Sequence, residues 1–452
     1  MSLSNETGAT ATTIELVKTQ EFESWCADLT PAALQWLSRM QFEAKSGQHA
    51  WLPDASGEPA KVVVGWDGAD NLATLGGLPY QLAEGTYALS SEVSQLQLLG
   101  WGLGAYRFTR YKSAKREPAT LLIPEEHDSD SLLNTVAAIT LVRDLINRPA
   151  GDLGPSALAD EAAQMADAND AECRITVGED LLSAGFGAIH AVGRAADDAP
   201  RLIDITWGDP ELPVVALIGK GVCFDSGGLD LKPAAAMRSM KKDMGGAAHV
   251  LGLAQLIMSA KLPICLRVLI PAVENAVSGN AFRPGDVLQT YAGVTVEIDN
   301  TDAEGRLVMC DALALAAETT PDLMIDFSTL TGSARSAVGP EIAAMFSNSD
   351  EVADGLYAAG ASQDDPVWRL PLYQDYAHML DSSIADTVNS ASSPYAGAIT
   401  AALFLEKFVA EIPWVHYDVM AYNTRNRPGH PEGGEALGVR ASFEFLKQKY
   451  GG

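Results

Sequence analysis

Basic residues are the scarce class in this chain: 31 Lys and Arg stand against 59 Asp and Glu in 452 residues, a net charge of −28. A chain this acidic repels DNA and anionic membranes unless a local basic patch intervenes, so nucleic-acid binding is not expected as the main activity. Cysteine is also sparse. Cys26, Cys173, Cys223, Cys265 and Cys310 are odd in number, far apart and free of any CxxC pair, so neither a disulfide framework nor a thiolate zinc site is indicated. The seven histidines form no i, i+4 pair and HExxH is absent, which removes the usual helical zinc motif. No apolar run reaches the ~18–20 residues that span a bilayer. The opening MSLSNETGATATTIE lacks the basic and apolar regions of a secretory signal. A cytoplasmic location with no membrane partner is the expectation.

What is present is a globular balance, 47% apolar and 20% charged, over a length that suggests two or three domains at ~100–200 residues each. Residues 1–125 read as a smaller N-terminal α/β domain, with strands at Lys61–Gly65 and Ala119–Ile123 and a helix at Ala32–Glu43. In Leu132–Ile146 apolar residues recur at helical spacing until Asn147-Arg148-Pro149 stops them. Residues 126–150 are therefore predicted to form a linker helix. From 151 to 452 strands are predicted at Val214–Ile218, Ile264–Ile270, Val294–Ile298, Leu323–Phe327 and Val415–Met420, with helices at Met244–Ala260 and Arg306–Glu318. The predicted fold class is α/β, the larger C-terminal catalytic domain having a mixed central sheet covered by helices. Ligands of such folds bind where loops converge at strand ends.

Two clusters of chemistry-bearing residues lie at such ends. Gly219-Lys220-Gly221-Val222-Cys223-Phe224-Asp225-Ser226-Gly227-Gly228 follows the strand Val214–Ile218, with Lys232 and Asp243 downstream. Asn300-Thr301-Asp302-Ala303-Glu304-Gly305-Arg306 follows Val294–Ile298. Four carboxylates brought together repel one another, which raises their pKa values and destabilises the fold. Divalent cations remove that conflict, and two of them ~3.5–4 Å apart can share carboxylates and activate water. Arg306 opens a helix, where unpaired N–H groups and the dipole favour an anion. Singly, each piece has a plainer reading: a helix cap, a solvated lysine, a turn, a tight packing contact. Their coincidence in one β/α segment points to a metal site of oxygen ligands, with room for one lysine amine. A Walker A loop fails because Val214 and Gly221 stand where Gly and Ser or Thr are needed, and a GxSxG elbow fails at Phe224.

The segments GKGVCFDSGGLDLKP, KKDMGGAA and NTDAEGRLVMCDAL resemble the signature of the leucine aminopeptidase (cytosol aminopeptidase) family. The likeness covers residues 130–452, through VRDLINRP, STLTGS and YAGAITAALFL. It implies a two-metal aminopeptidase, a metalloprotease that hydrolyses the N-terminal residue from peptides with a free α-amine. Two divalent ions, zinc or manganese, are implied per subunit. Asp225 and Glu304 would bridge them, Lys220 and Asp243 would complete one site, and Asp302 the other. A metal-bridging hydroxide would attack, with Lys232 on the carbonyl oxygen and Arg306 holding a bicarbonate that acts as general base. Backbone groups of Leu330 and Gly332 would guide the peptide, and Met240 and Thr329 would wall the pocket for its first side chain. A homohexamer is also implied. Departures from the family pattern are Cys223, Asp230 and the run DVMAY, where Met420 is expected to narrow that pocket. Two further readings are a dipeptidase of narrow specificity, for example for Cys-Gly, and a binding or regulatory protein that kept the fold.

Overall fold

The computed structural model describes residues 2–6, 10–54 and 56–451. It divides into two compact units, Met1–Thr140 with Arg425–Glu432, and Leu141–Thr424 with Gly433–Gly452.

In the first unit six strands run in the order Leu3–Ser4, Thr120–Leu122, Thr86–Leu89, Thr12–Lys18, Pro59–Trp66, His49–Pro53. All pairs are parallel except the last. A helix forms at Pro31–Arg39, with proline in its first turn and the Thr30 hydroxyl accepting from the Ala33 N–H. It stops short of the expected Glu43 because Gln41 and Ala44 take positive φ, 52° each, which no α-helix accommodates. The acidic balance has one local exception here. Arg107, Arg110, Lys112, Lys115 and Arg116 follow one another with no acidic residue between them. Arg107 lies 4.0 Å and Arg116 5.6 Å from the Tyr80 ring centre, so two of the five are held against an aromatic face.

In the second unit a sheet runs in the order Val367–Arg369, Ala343–Ser347, Trp414–Asp418, Leu323–Ser328, Val214–Gly219, Cys265–Asn275, Arg201–Trp207, Glu172–Val177, with Gly221–Asp225 also paired to Cys265–Asn275. The central strands Trp414–Asp418, Leu323–Ser328, Val214–Gly219 and Cys265–Asn275 are parallel, and the outer pairings include antiparallel ones. The sheet is therefore mixed, as expected. All six residues of Leu323–Ser328 are buried, because helices cover both faces of a central parallel strand. Ile218, Leu269, Leu307, Met324, Phe404 and Trp414 share one core cluster. One expectation is corrected. The strand predicted at Val294–Ile298 forms as Thr295–Glu297, but in a separate three-stranded sheet with Val287–Gln289 and Thr387–Val388. Its burial alternates, with only Val296 inside, the pattern of a strand covered on one side. The segment 126–150, predicted to be helical, forms the helix Ser129–Asn147, and among the described residues no helix is long and apolar enough to cross a membrane.

Candidate active site

Lys220 sits between the strand Val214–Gly219 and the short strand Gly221–Asp225 that ends in Asp225. Its backbone is pinned on both sides: its N–H donates to the Phe327 carbonyl (3.0 Å) and its carbonyl accepts from the Ala247 N–H (2.8 Å). Its Nζ lies 2.6 Å from Asp243 and 2.9 Å from Glu304. Asp243 follows the single turn Met240–Lys242, and Glu304 caps the helix Gly305–Ala317. A Cβ on Gly305 would stand 2.5 Å from Lys220 Cε, so only glycine lets that helix begin against the lysine. Lys232 pairs with Asp225 at 2.7 Å and with Asp302. The structure thus brings Lys220, Asp225, Lys232, Asp243, Asp302 and Glu304 into one place.

Two ammonium groups do not satisfy four carboxylates. Both Glu304 oxygens, Asp302 Oδ1 and Asp243 Oδ2 are buried with no well-aligned hydrogen-bond donor beyond their lysine ion pairs. Burial and Asp225 push Glu304 up from the ordinary 4.5 to about 8, and Asp302 from 3.8 to about 6. Burial would raise Asp243 too, but Lys220 and Lys242 hold it below the usual range. Burial disfavours the charged forms of Lys220 and Lys232, and the surrounding carboxylates overcome this and raise both. Oxygens of Asp225, Asp302 and Glu304 lie within 4.8 Å of one another. A buried, oxygen-rich donor set with orphaned lone pairs fits divalent cations. No histidine belongs to this cluster.

Arg306 is buried, and burial lowers it to about 10. Its Nη1 donates to the Asn389 carbonyl at 2.8 Å, while Nε has no acceptor among the described residues, so a donor remains for an anion. Thr329 donates from its hydroxyl to Asp243 Oδ1 (2.7 Å) and to the Asp243 carbonyl (3.0 Å). The Leu330 and Thr331 N–H groups each donate at 3.0 Å to Asp418 Oδ1, and the Thr331 hydroxyl to Oδ2 at 2.6 Å. Gly332 opens the helix Gly332–Val338. Arg335 of that helix reaches the Met420 sulfur at 3.5 Å. Met240 is buried one turn before Asp243. The Cys223 thiol is buried and burial raises its pKa, as befits a core residue.

Several supporting residues carry no local signal in the sequence. Asn275 Nδ2 donates to Asp225 Oδ1 (2.9 Å) and to the Thr301 carbonyl (3.1 Å), joining the two clusters. Asp230 joins them again. The Thr301 N–H donates to Asp230 Oδ2 (2.7 Å) and the Asp230 N–H to Thr301 Oγ1 (2.8 Å). Asn389 braces the second cluster through the Asp299 N–H (2.9 Å), the Asn300 carbonyl (2.7 Å) and Arg306.

The family model for the cytosol aminopeptidase family, catalytic domain, matches residues 140–443. The chain belongs to the cytosol aminopeptidase family. The model for the M17 aminopeptidase N-terminal domain matches residues 12–124. A probable cytosol aminopeptidase of Syntrophotalea carbinolica is 40% identical over 377 residues, 79% of this chain and 76% of that protein. One of Roseiflexus castenholzii is 39% identical over 363 residues, 76% of this chain and 74% of that protein. The crystal structure of a cytosol aminopeptidase from Coxiella burnetii superposes with a TM-score of 0.96 at 45% identity, covering 99% of both chains. A bottromycin maturation enzyme in complex with Mn gives 0.87 at 33% identity, over 97% of this chain and 100% of that one. As a cytosol aminopeptidase family member, the chain is a metallo-exopeptidase with the two-domain α/β fold of its relatives.

Proposed function

We propose that this chain removes the N-terminal residue from peptides with a free α-amine, using two divalent cations held by Lys220, Asp225, Asp243, Asp302 and Glu304. The observation that supports this most is the convergence of buried carboxylate oxygens that two lysines leave unsatisfied. Once bound, the cations would supply Lewis acidity to the peptide carbonyl and lower the pKa of the attacking water. Asp225 and Glu304, both almost fully enclosed, would be shared by both ions. Lys220 and Asp243 would complete one site, and Asp302, with its side chain 32% exposed, the more accessible one. Lys220 must lose its proton to serve as a ligand. Lys232 would donate to the carbonyl oxygen as negative charge develops there. Arg306 would hold bicarbonate through its free Nε, and that ion would supply a base. Backbone groups of Leu330 and Gly332 would orient the peptide, and Met240 and Thr329 would wall the space for its first side chain, with Met420 narrowing it.

Zinc or manganese would suit this oxygen-rich set with one amine, and manganese is the ion of the bottromycin maturation enzyme complex. The proposed assembly is the homohexamer that the sequence resemblance implies. Asp302→Asn should abolish hydrolysis of leucyl-p-nitroanilide and lower the bound metal from two ions to one, with circular dichroism unchanged. Wild-type turnover in that variant, or turnover in the unaltered protein indifferent to chelators, would refute the site.

A further inference from the structure

Most buried or half-buried cations of the catalytic unit rest on a carboxylate: Arg143 on Glu435 (3.0 Å), Arg267 on Asp204 (2.7 Å), Arg201 on Asp198 (2.6 Å), and Lys220 and Lys232 on two each. Arg306 and Lys241 rest instead on the carbonyls of Asn389 and Asn147, and among the described residues two cations beside the loop Thr329–Gly332 have neither kind of oxygen. Lys242 is 1% exposed, and no carboxylate among the described residues lies within ion-pair distance of its ammonium. Among the described residues, half-buried Arg335 offers its guanidinium to the Met420 thioether alone, a weak acceptor. The charges that act on Lys242 are Asp243, Arg335, Lys220 and Asp418. Both of those carboxylates are already engaged, Asp243 by Lys220 and Thr329, and Asp418 by Leu330 and Thr331. In a chain with nearly two acidic residues for each basic one, partners for two more cations were plentiful. Two positive groups close together without counter-ions are unfavourable until something negative arrives.

Both cations lie close to residues proposed to wall the space for the first side chain of the peptide. Met240 and Lys242 belong to one turn. Arg335 Nη2 lies 3.4 Å from where a Cβ on Gly332 would stand, and Nη1 touches Met420. We propose that Arg335, supported by Lys242, determines specificity at this pocket by accepting the side-chain carboxylate of an N-terminal Asp or Glu. The inference rests on the aminopeptidase reading above. The guanidinium would exchange a thioether contact for charge-assisted, two-pronged hydrogen bonds. The Lys242 ammonium would add attraction from a buried position where solvent screens it little.

The test compares kcat/KM for glutamyl-, glutaminyl- and leucyl-p-nitroanilide on the metal-loaded enzyme. These substrates have no C-terminal carboxylate, so a preference among them reads the first side chain alone. The unaltered enzyme should favour glutamyl over glutaminyl by about tenfold, the scale of one charge pair at a partly enclosed site. In Arg335→Gln that ratio should fall to near one, and in Lys242→Met it should fall part of the way. The ratio is internal to each protein, so a general loss of activity or folded fraction cancels. A ratio of one or less in the unaltered enzyme, or a ratio that survives both substitutions, overturns the inference. Chelator-sensitive turnover of leucyl-p-nitroanilide establishes the peptidase separately. Its absence refutes that reading and this inference together, whereas its presence without a glutamyl preference refutes this inference alone.

Discussion

Glu304→Gln keeps the volume of a buried side chain and removes only its charge. Glu304 is 1% exposed, its oxygens have no partner beyond Lys220, and burial with Asp225 pushes it from 4.5 to about 8. Between those two pH values the unfolded chain ionises this group while the metal-free native protein keeps it protonated. Native stability therefore falls by about 1.4 kcal/mol per pH unit as pH rises through that window, and is level above it. The loss totals on the order of 4 kcal/mol by pH 8, and glutamine suffers none of it. Lys220 keeps Asp243 in the variant, and since the acid it loses is neutral over most of this window the amide oxygen replaces it as acceptor; a net gain on the order of 4 kcal/mol at pH 8 in EDTA is expected, vanishing by pH 4.5. Saturating Mn²⁺ should reverse the order. A ligand at 100 times its Kd stabilises the native state by about 2.7 kcal/mol per site, and the variant lacks the shared carboxylate. Urea unfolding at pH 5 and pH 8, with EDTA or with Mn²⁺, reads both effects. A variant less stable than wild type in EDTA at pH 8, or one that gains as much from Mn²⁺, would refute the idea that these carboxylates conflict until a divalent cation arrives.

Lys232→Ala should lower kcat by about 10²–10³, the cost of one lost donor to a developing oxyanion, with a much smaller change in KM; an unchanged kcat in steady-state kinetics would remove Lys232 from the carbonyl oxygen. Arg143→Met should destabilise the protein by about 3–5 kcal/mol, because Arg143 and Glu435 are both fully buried and the substitution removes a two-pronged charge partner from a buried carboxylate; a loss below about 1 kcal/mol in chemical unfolding would count against that pair as a structural element.

The central strands were legible because burial on both faces writes them as unbroken apolar runs, as at Val214–Gly219 and Leu323–Ser328. The two site clusters were legible because carboxylates, lysines and glycines crowd into short stretches. Sheet membership was not legible for Thr295–Glu297: its residues favour a strand, but nothing local says which sheet it joins. Asn275, Asn389 and Asp418 were invisible because each acts on partners 26 to 90 positions away. Lys241-Lys242 looks in sequence like a solvated pair, yet the fold half-buries the first, on the Asn147 carbonyl, and fully buries the second. The basic stretch at 107–116 was hidden by the overall charge of −28.

The two halves of the metal-ligand set stand on different foundations. Lys220 and Asp225 are rooted in the nine-stranded sheet, while Asp302 lies on the loop that runs from the small three-stranded sheet to Glu304 at the head of the helix Gly305–Ala317, a loop braced by Asn389. The ligand set therefore depends on the register between the two loops as much as on either loop alone. The reciprocal Asp230–Thr301 clasp fixes that register without supplying a ligand, so it can be loosened while every metal-binding group stays in the chain.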